Sequence, residues 1–557
     1  MAPPAAIESY PETDTSSFTI PDRFTLQQVA KRRAASGKLV ATVAAVADVD
    51  AFKGRTQHLH KGKARRWDHR LSPESRSRKG NSLKGAAGLL KTPGLISLGG
   101  GLPSADYFPF DELSIKVPEI GRWSDKEVHD HGKVLTAGKH DQAEGKSHFD
   151  IATAFQYGQG HGAAQFLRWL IEHTEIVHNP PYQDWSCTMT SGSTSATDMA
   201  FRMFCKAGDW IMTEQFTFPT MIETVRPMGV RVAGIPMDEY GLCPKQMDQI
   251  LSNWDERERC GPKPFLLYIV PTGQNPTGAT QPVQRRREVY AVAKKHDLYI
   301  LEDEPYYFLQ MQPYTGPNAP DVPPPASHEE FLRSLVPSYL SMDVDGRVMR
   351  LDSFSKVIAP GSRVGWITAS EQICERFRNH TDTSTQQPSG ISQLVLFKLL
   401  EEHWGHSGYL DWLIHMRMEY TGRRNTILDA CERYLPKDIV SWVPPMAGMF
   451  HWMEIDFTRH PEYPQMSMDD IEDQLFLNNV EHKTLLMKGS WFYAESDVEK
   501  HKMYFRATYA AARTDQIEEA IRRFGASVRE CFGLAALTNG ANGTNGTNGT
   551  NGTNGTH

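Results

Sequence analysis

No stretch of this sequence approaches the roughly 18 consecutive apolar residues that carry a helix across a membrane, so no membrane partner is expected. The first residues, MAPPAAIESYPETDTSSF, hold acids and no apolar core, which is unlike a secretory signal and unlike a mitochondrial leader. Cysteine is sparse. The seven (Cys187, Cys205, Cys243, Cys260, Cys374, Cys431 and Cys531) are odd in number and lack metal-type pairing, so they read as reduced thiols in the cytoplasm. A basic excess is missing as well: 60 Lys and Arg stand against 67 Asp and Glu, for a net charge of -7 and a pI near 6.3. That balance argues against nucleic acid or an anionic surface as a partner. What is present is ordinary for a soluble globular protein, with 39% hydrophobic and 23% charged residues over 557 positions, enough for two or three domains.

Along the chain, short apolar runs alternate with helical periods, the pattern of an α/β domain with a largely parallel sheet. SCTMTSG, WIMTEQ, VRVAGIPM, PFLLYIVP, LYILEDE, RVMRLD and RVGWITAS read as strands, with helices through ATDMAFRMFCKAG and QPVQRRREVYAVAKKH. Long helices follow Glu371, and a smaller α+β segment contains the strands MFHWMEID and MYFRATYA. The segment 111–150 reads as a polar, irregular, solvated insertion, and the spacing of its His129, His131, His140 and His148 fits no standard metal site. HLHKGKARRWDHR (58–70) reads as a solvated segment that docks through Trp67. The Asn-Gly-Thr repeats at the C-terminus bury nothing and predict disorder.

Ligands of open α/β sheets gather at the carboxyl ends of the strands, and five features fall there. Ser191-Gly-Ser-Thr194 links a strand to a helix N-terminus, a setting for an anion such as phosphate. PTGQNPTG is a turn whose Asn275 the turn itself does not require. LEDEPYYF ends a strand in three acids, which are costly to bury unless a cation meets them. For Glu302 and Glu304 a solvated loop is the plainer reading. SFSKVIAPGSRVGW places Lys356 between hydroxyls and seven residues ahead of Arg363. In YFRATYA, Arg506 interrupts an apolar strand and is a candidate fork for a carboxylate.

In this order, and together with LISLGGGLPSADYFPF, FQYGQGHGAAQFLRWL and PPMAGMFHWMEID, these motifs resemble the class I/II aminotransferases of fold type I, which use pyridoxal 5'-phosphate (PLP). The resemblance spans about residues 65–530 and is strongest to the fungal aromatic and the aminoadipate/kynurenine aminotransferases. It implies a large domain with a mostly parallel seven-stranded sheet and a smaller α+β domain. The expected divisions are an N-terminal extension (1–65), an N-terminal segment of the small domain (66–110), the insertion (111–150), the PLP-binding domain (151–385), long helices with the C-terminal small domain (386–535) and a disordered tail (536–557).

The resemblance also implies roles. Lys356 is the lysine that bonds to the cofactor and shuttles the proton. Asp303 pairs with the ring nitrogen, Tyr306 and Asn275 hydrogen-bond the phenolic oxygen, and Phe218 stacks on the ring where the family often has tyrosine. Ser193, Thr194, Ser353, Ser355 and Arg363 hold the phosphate, with Tyr157 reaching over from a second subunit of a homodimer with shared sites. Arg506 clamps the substrate α-carboxylate beside the Gly101 backbone. Ala447 stands where the family commonly has glycine. The expected reaction moves an amino group from an aromatic L-amino acid to a 2-oxo acid such as 2-oxoglutarate or phenylpyruvate. Other readings on this scaffold are an aminoadipate, kynurenine or specialised-metabolite aminotransferase, a C–S lyase, or a transcription regulator. The last requires a winged helix-turn-helix that residues 1–65 do not display.

Overall fold

The computed structural model describes residues 20–36, 39, 49–54, 58–86, 89, 92, 96, 98–317, 320, 322–495 and 498–536. The Asn-Gly-Thr tail and the first 19 residues of the extension lie outside these. The insertion departs from its expected irregular loop. It is an antiparallel hairpin, β1 (Glu112–Val117) with β2 (Lys133–Gly138), carrying the helix Asp125–His131 in its connection. ELSIKV alternates polar and apolar side chains, so Leu113, Ile115 and Val117 turn toward the protein while Glu112, Ser114 and Lys116 stay wet. A capping box between Ser124 and Glu127 starts the helix.

The main sheet is built from β3 (Trp185–Thr190), β4 (Trp210–Glu214) and β5 (Arg231–Ile235). After a small ribbon of β6 (Met237–Asp238) and β7 (Gly241–Leu242), it continues with β8 (Leu266–Ile269), β9 (Tyr299–Asp303), β10 (Val348–Ser353) and β11 (Gly365–Ser370). Its order is β3-β11-β10-β9-β8-β4-β5, and only β11 runs against its neighbours. Every residue of β8 to β11 is buried, as expected for a sheet covered on both faces. A second, antiparallel sheet has the order β12 (Val440–Trp442), β13 (Phe450–Ile455), β15 (Met503–Thr508), β14 (Met487–Lys488). In the main sheet the carboxyl ends of β3, β8, β9 and β10 and the start of β11 meet at one edge, and β15 faces that edge.

Two parts of the sequence reading fail on burial. Glu302 and Glu304 are not in a solvated loop; they are 0% and 2% exposed. The cations they need come from Arg350, which lies opposite Glu302 across the β9–β10 ladder, and from Arg286 of the helix Val283–Lys295. Arg350 also grips Asp352 with two bonds of 2.8 Å. His58, in the segment read as solvated, is likewise buried, its Nε2 2.8 Å from Glu175. Trp67 of the same segment is fully buried against Tyr299, as its docking role requires.

Removing the cation at the centre of this buried group should be severe. Arg350→Met leaves Glu302, Glu304 and Asp352 facing one another and is expected to cost about 3–5 kcal/mol, read from urea unfolding. Adding Glu302→Gln should return part of that loss, because one of the uncompensated charges is then gone.

Candidate active site

The strand ends at this edge bring groups of opposite character together. At the end of β3, Gly192 takes φ 88, which a side chain resists, and the helix Ser193–Phe204 begins there with no side-chain cap. Its first N–H groups are therefore open, and the buried Ser193 Oγ has no partner. Arg363 lies over this glycine: a Cβ on Gly192 would collide with its guanidinium. Arg363 itself is in the left-handed region (φ 50) and donates from Nη2 to the Ser191 carbonyl (3.1 Å) and from Nη1 to that of Pro360 (3.1 Å). From the end of β10, Ser353 Oγ donates to Ser355 Oγ (2.8 Å) and accepts from the Ser355 amide (3.1 Å). Hydroxyls, free amides and a guanidinium without an acidic partner among the described residues make a cradle for a phosphate.

Asp303 ends β9 on the face opposite Glu302 and Glu304, and it points into the site. Its Oδ2 accepts from the Tyr268 hydroxyl (2.7 Å), while Oδ1 is buried with no partner. Burial raises its carboxyl to about 6, against the pull of the Tyr268 bond and of Arg350 and Lys356. Lys356 is half-buried, and burial lowers its ammonium from the ordinary value. Arg363 and Arg506 push the same way, and Asp303 opposes them. Its Nζ lies 6.0 Å from the centre of the Tyr306 ring, and burial raises the Tyr306 phenol.

Arg506, on β15, is held between the rings of Phe450 (4.5 Å) and Phe492 (4.6 Å). Its Nη1 donates to Asn275 Oδ1 (2.7 Å), and its Nε is buried without a partner. One side of the guanidinium thus carries an unused buried donor, aimed where a carboxylate can bridge two nitrogens.

These groups share one cavity of about 490 Å³. Of the residues singled out from sequence, Ser193, Thr194, Phe218, Asn275, Asp303, Tyr306, Ser353, Ser355, Lys356, Arg363 and Arg506 all line it. Two do not: Gly101 is exposed with open space around it, and Tyr157 is 57% exposed on the surface. Sequence reasoning missed Tyr268, although a hydroxyl in the apolar strand FLLYIV requires a buried partner. It also missed Phe492, and the contact of Gly273 (φ 57) with Gly448 (φ 79), whose backbones touch behind Asn275. Ala447 is buried, has no left-handed backbone and bridges to Gln310, so alanine fits there without strain.

A family model for aminotransferase class I and II matches residues 128–524. The chain belongs to this family. An aromatic amino acid aminotransferase of Schizosaccharomyces pombe is 45% identical over 469 residues, covering 83% of this chain and 98% of the relative. An L-tyrosine:2-oxoglutarate aminotransferase of Serpula lacrymans is 35% identical, covering 76% of this chain and 83% of the relative. The crystal structure of the aminotransferase Aro8 from Candida albicans superposes with a TM-score of 0.80 at 40% identity, over 85% of this chain and all of that one. As an aminotransferase of this family the protein uses PLP, and the cavity fits that group. Asp303 Oδ1 is an open acceptor for a ring N–H, and Ser193 Oγ and Arg363 are open donors for a phosphate.

The strain at Asp303 is measurable. Its carboxyl rises from 3.8 to about 6 on folding, so ionisation opposes folding. The penalty is absent below pH about 4 and full above pH about 6. Asp303→Asn should therefore stabilise the cofactor-free aminotransferase at pH 7–8 by on the order of 3 kcal/mol, with little gain at pH 4. The same variant should lose orders of magnitude in turnover. A thermal melt of the cofactor-free protein across this pH range checks the first, and steady-state assay the second.

Proposed function

We propose that this aminotransferase takes the amino group of an aromatic L-amino acid and passes it to a 2-oxo acid such as 2-oxoglutarate or phenylpyruvate, as a cytoplasmic homodimer with shared sites. The observation that carries this is the setting of Arg506. A guanidinium with a free buried donor, no acidic partner among the described residues and two aromatic rings packed against it suits a substrate with a carboxylate beside an apolar ring. Met449, Phe450 and Phe218 continue that apolar wall. The names of the relatives from Schizosaccharomyces pombe and Serpula lacrymans support the same substrate class. All seven cysteines are free thiols, which supports a reducing compartment.

Bound in this cavity, PLP supplies a sink for the electron pair left at the substrate α-carbon when its proton departs. The chain does the rest. Ser193, Thr194, Ser353, Ser355 and Arg363 hold the phosphate at a helix N-terminus. Asp303 Oδ1 would accept from the ring nitrogen and keep it protonated. Tyr306 and Asn275 would hold the phenolic oxygen as donors, and Phe218 would lie against the ring. The Lys356 amine, whose ammonium burial disfavours, would take the proton from the substrate α-carbon. Arg506 grips the α-carboxylate through its free edge, with the Gly101 backbone brought alongside. The exposed Tyr157, with Leu98 and Tyr107 at 95% and 85% exposure, supports a face covered by a second copy, whose phosphate Tyr157 would reach.

An amino-acid panel with product assay tests the substrate class. Tyrosine, phenylalanine or tryptophan should give the highest kcat/KM, and a preference for aspartate or alanine would remove the aromatic assignment. Arg506→Gln should lower kcat/KM at least about a hundredfold, since two charge-assisted bonds are lost. Arg506→Lys should recover little, because a point charge does not replace the fork.

Lys356→Ala should abolish turnover and Tyr157→Phe should lower it mildly. Re-annealed mixed dimers of the two contain one site with both defects and one with neither. Their activity should exceed the sum of the separate preparations. Activity equal to the average of the parents would show that Tyr157 does not cross between subunits.

A further inference from the structure

Lys356 lies in a turn, so no strand ladder fixes its Cα. The amides of Ile358 and Ala359 both donate to the Phe354 carbonyl (2.8 and 3.2 Å) and close the turn from within. From outside, the helix Gly405–Tyr434 grips both flanks of the lysine. Tyr409 packs edge-on to Phe354, in a ring cluster with Trp169 and Trp366. Three residues along the helix, the Trp412 indole N–H donates to the Val357 carbonyl at 2.6 Å. That carbonyl belongs to the residue directly after Lys356.

Trp412 is itself braced by the insertion. Its ring stacks on Trp404 (5.6 Å) and meets Trp123 edge-on (5.3 Å), and Trp123 sits in the connection between β1 and β2. Trp123 also packs edge-on to Trp404 (5.5 Å) and stacks on His415 (5.9 Å). The start of this connection is pinned. The Pro118 carbonyl accepts from the Trp404 indole (3.2 Å), and the Ile120 side chain fills the space over Gly408, where a Cβ would come within 2.7 Å of it. No residue of the hairpin lines the catalytic cavity.

We propose that the inserted hairpin 112–138 is a brace for the lysine turn: Trp123 fixes the Trp412 indole, and Trp412 fixes the Val357 carbonyl. Trp412 and Trp123 are then positioning residues for Lys356, and this rests on the role given to Lys356 above. The amine must reach two carbons in turn, and sub-ångström placement governs such transfers. Indole N–H is a donor only, so phenylalanine at 412 removes the bond and keeps much of the packing. Trp123 touches nothing in the turn, so its effect has to run through Trp412.

Hydrogen–deuterium exchange on the cofactor-free protein reads the brace without chemistry. Trp412→Phe and Trp123→Leu should each raise exchange several-fold in the peptide spanning 353–363 and leave the helix Ser193–Phe204 unchanged. In the holoenzyme each should lower kcat about three- to tenfold with KM for the amino acid within about twofold, the scale of one lost neutral hydrogen bond. The double variant should be no worse than Trp412→Phe alone. Lys139 N donates to Asp111 O at 2.8 Å, so residues 112–138 can be replaced by two glycines, and the excised protein should show the same loosened 353–363 peptide. Native exchange at 353–363 in the excised protein or in either single variant overturns the brace, as does an unchanged kcat. Turnover retained by Lys356→Ala would instead overturn the lysine's role and leave the exchange results standing.

Discussion

Three consecutive acids on one buried strand set the terms for this molecule. β9 and the residue just past its end, Glu304, which still donates its amide to the Leu351 carbonyl (3.0 Å), send Glu302 and Glu304 to one face and Asp303 to the other. On the first face Arg286 and Arg350 meet the charges inside the protein, and the pair of glutamates becomes part of the core. On the second face nothing fixed neutralises Asp303. Tyr268 satisfies one oxygen, the other is left open, and the carboxyl drifts upward in consequence. The same cavity holds Lys356, Arg363 and Arg506, and among the described residues neither arginine has an acidic partner. The site is therefore short of negative charge near the arginines and short of a cation at Asp303. A ligand with a phosphate at one end and a protonated nitrogen at the other answers both deficits, and its binding stabilises the fold by mass action.

How much of this the sequence disclosed follows from range. Features set by local chain geometry were legible: a strand end, the Gly192 turn into a helix, and Lys356 beside its serines each involve residues only a few positions apart. The fold class followed from the alternation of short apolar runs with helical periods. What stayed hidden depends on distant partners. Glu302 and Glu304 read as solvated because Arg286 and Arg350 are 16 and 48 positions from Glu302; the β9–β10 register aligns Arg350, and the packing of the helix Val283–Lys295 on the sheet delivers Arg286. Tyr268 looked like one more apolar strand residue until Asp303 came to rest beside it on β9. The hairpin is hidden for a different reason: ELSIKV alternates, but one short alternating run amid many charges does not distinguish a strand from a solvated loop.

The long helix after Gly405 shows a further economy. It presents Tyr409 and Trp412 to the two sides of the lysine turn, and these lie three residues apart, on one face of the helix. A π-helical stretch, Lys398–Trp404, precedes it, and Gly405 at φ 61 turns the chain between the two, with Trp404 and Trp412 stacked across that junction. The helix thus walls the lysine turn and holds both of its flanks, while the cofactor cradle stands on the main sheet.

The loops around the cavity meet at a few points, and these connect the setting of Arg506 to the turn that carries Asn275. The Thr217 amide donates to the Phe492 carbonyl (2.8 Å), just after β4, and Phe492 is one of the rings that sandwich Arg506. The Gln274 side chain donates to the Phe216 carbonyl (2.6 Å), which anchors the turn carrying Asn275. Asn275 in turn accepts from Arg506. A carboxylate arriving at Arg506 competes for the guanidinium that Asn275 already holds. Because Arg506 is clamped between two rings, it cannot swing away to serve one partner at the expense of the other. Under the proposed binding mode a carboxylate takes the free Nε side and leaves the Asn275 bond intact, so the Asn275 amide N–H groups would remain available to the cofactor. Substrates that cannot fill that edge would leave the guanidinium half-bonded and desolvated, and that penalty is itself a source of selectivity for α-carboxylates.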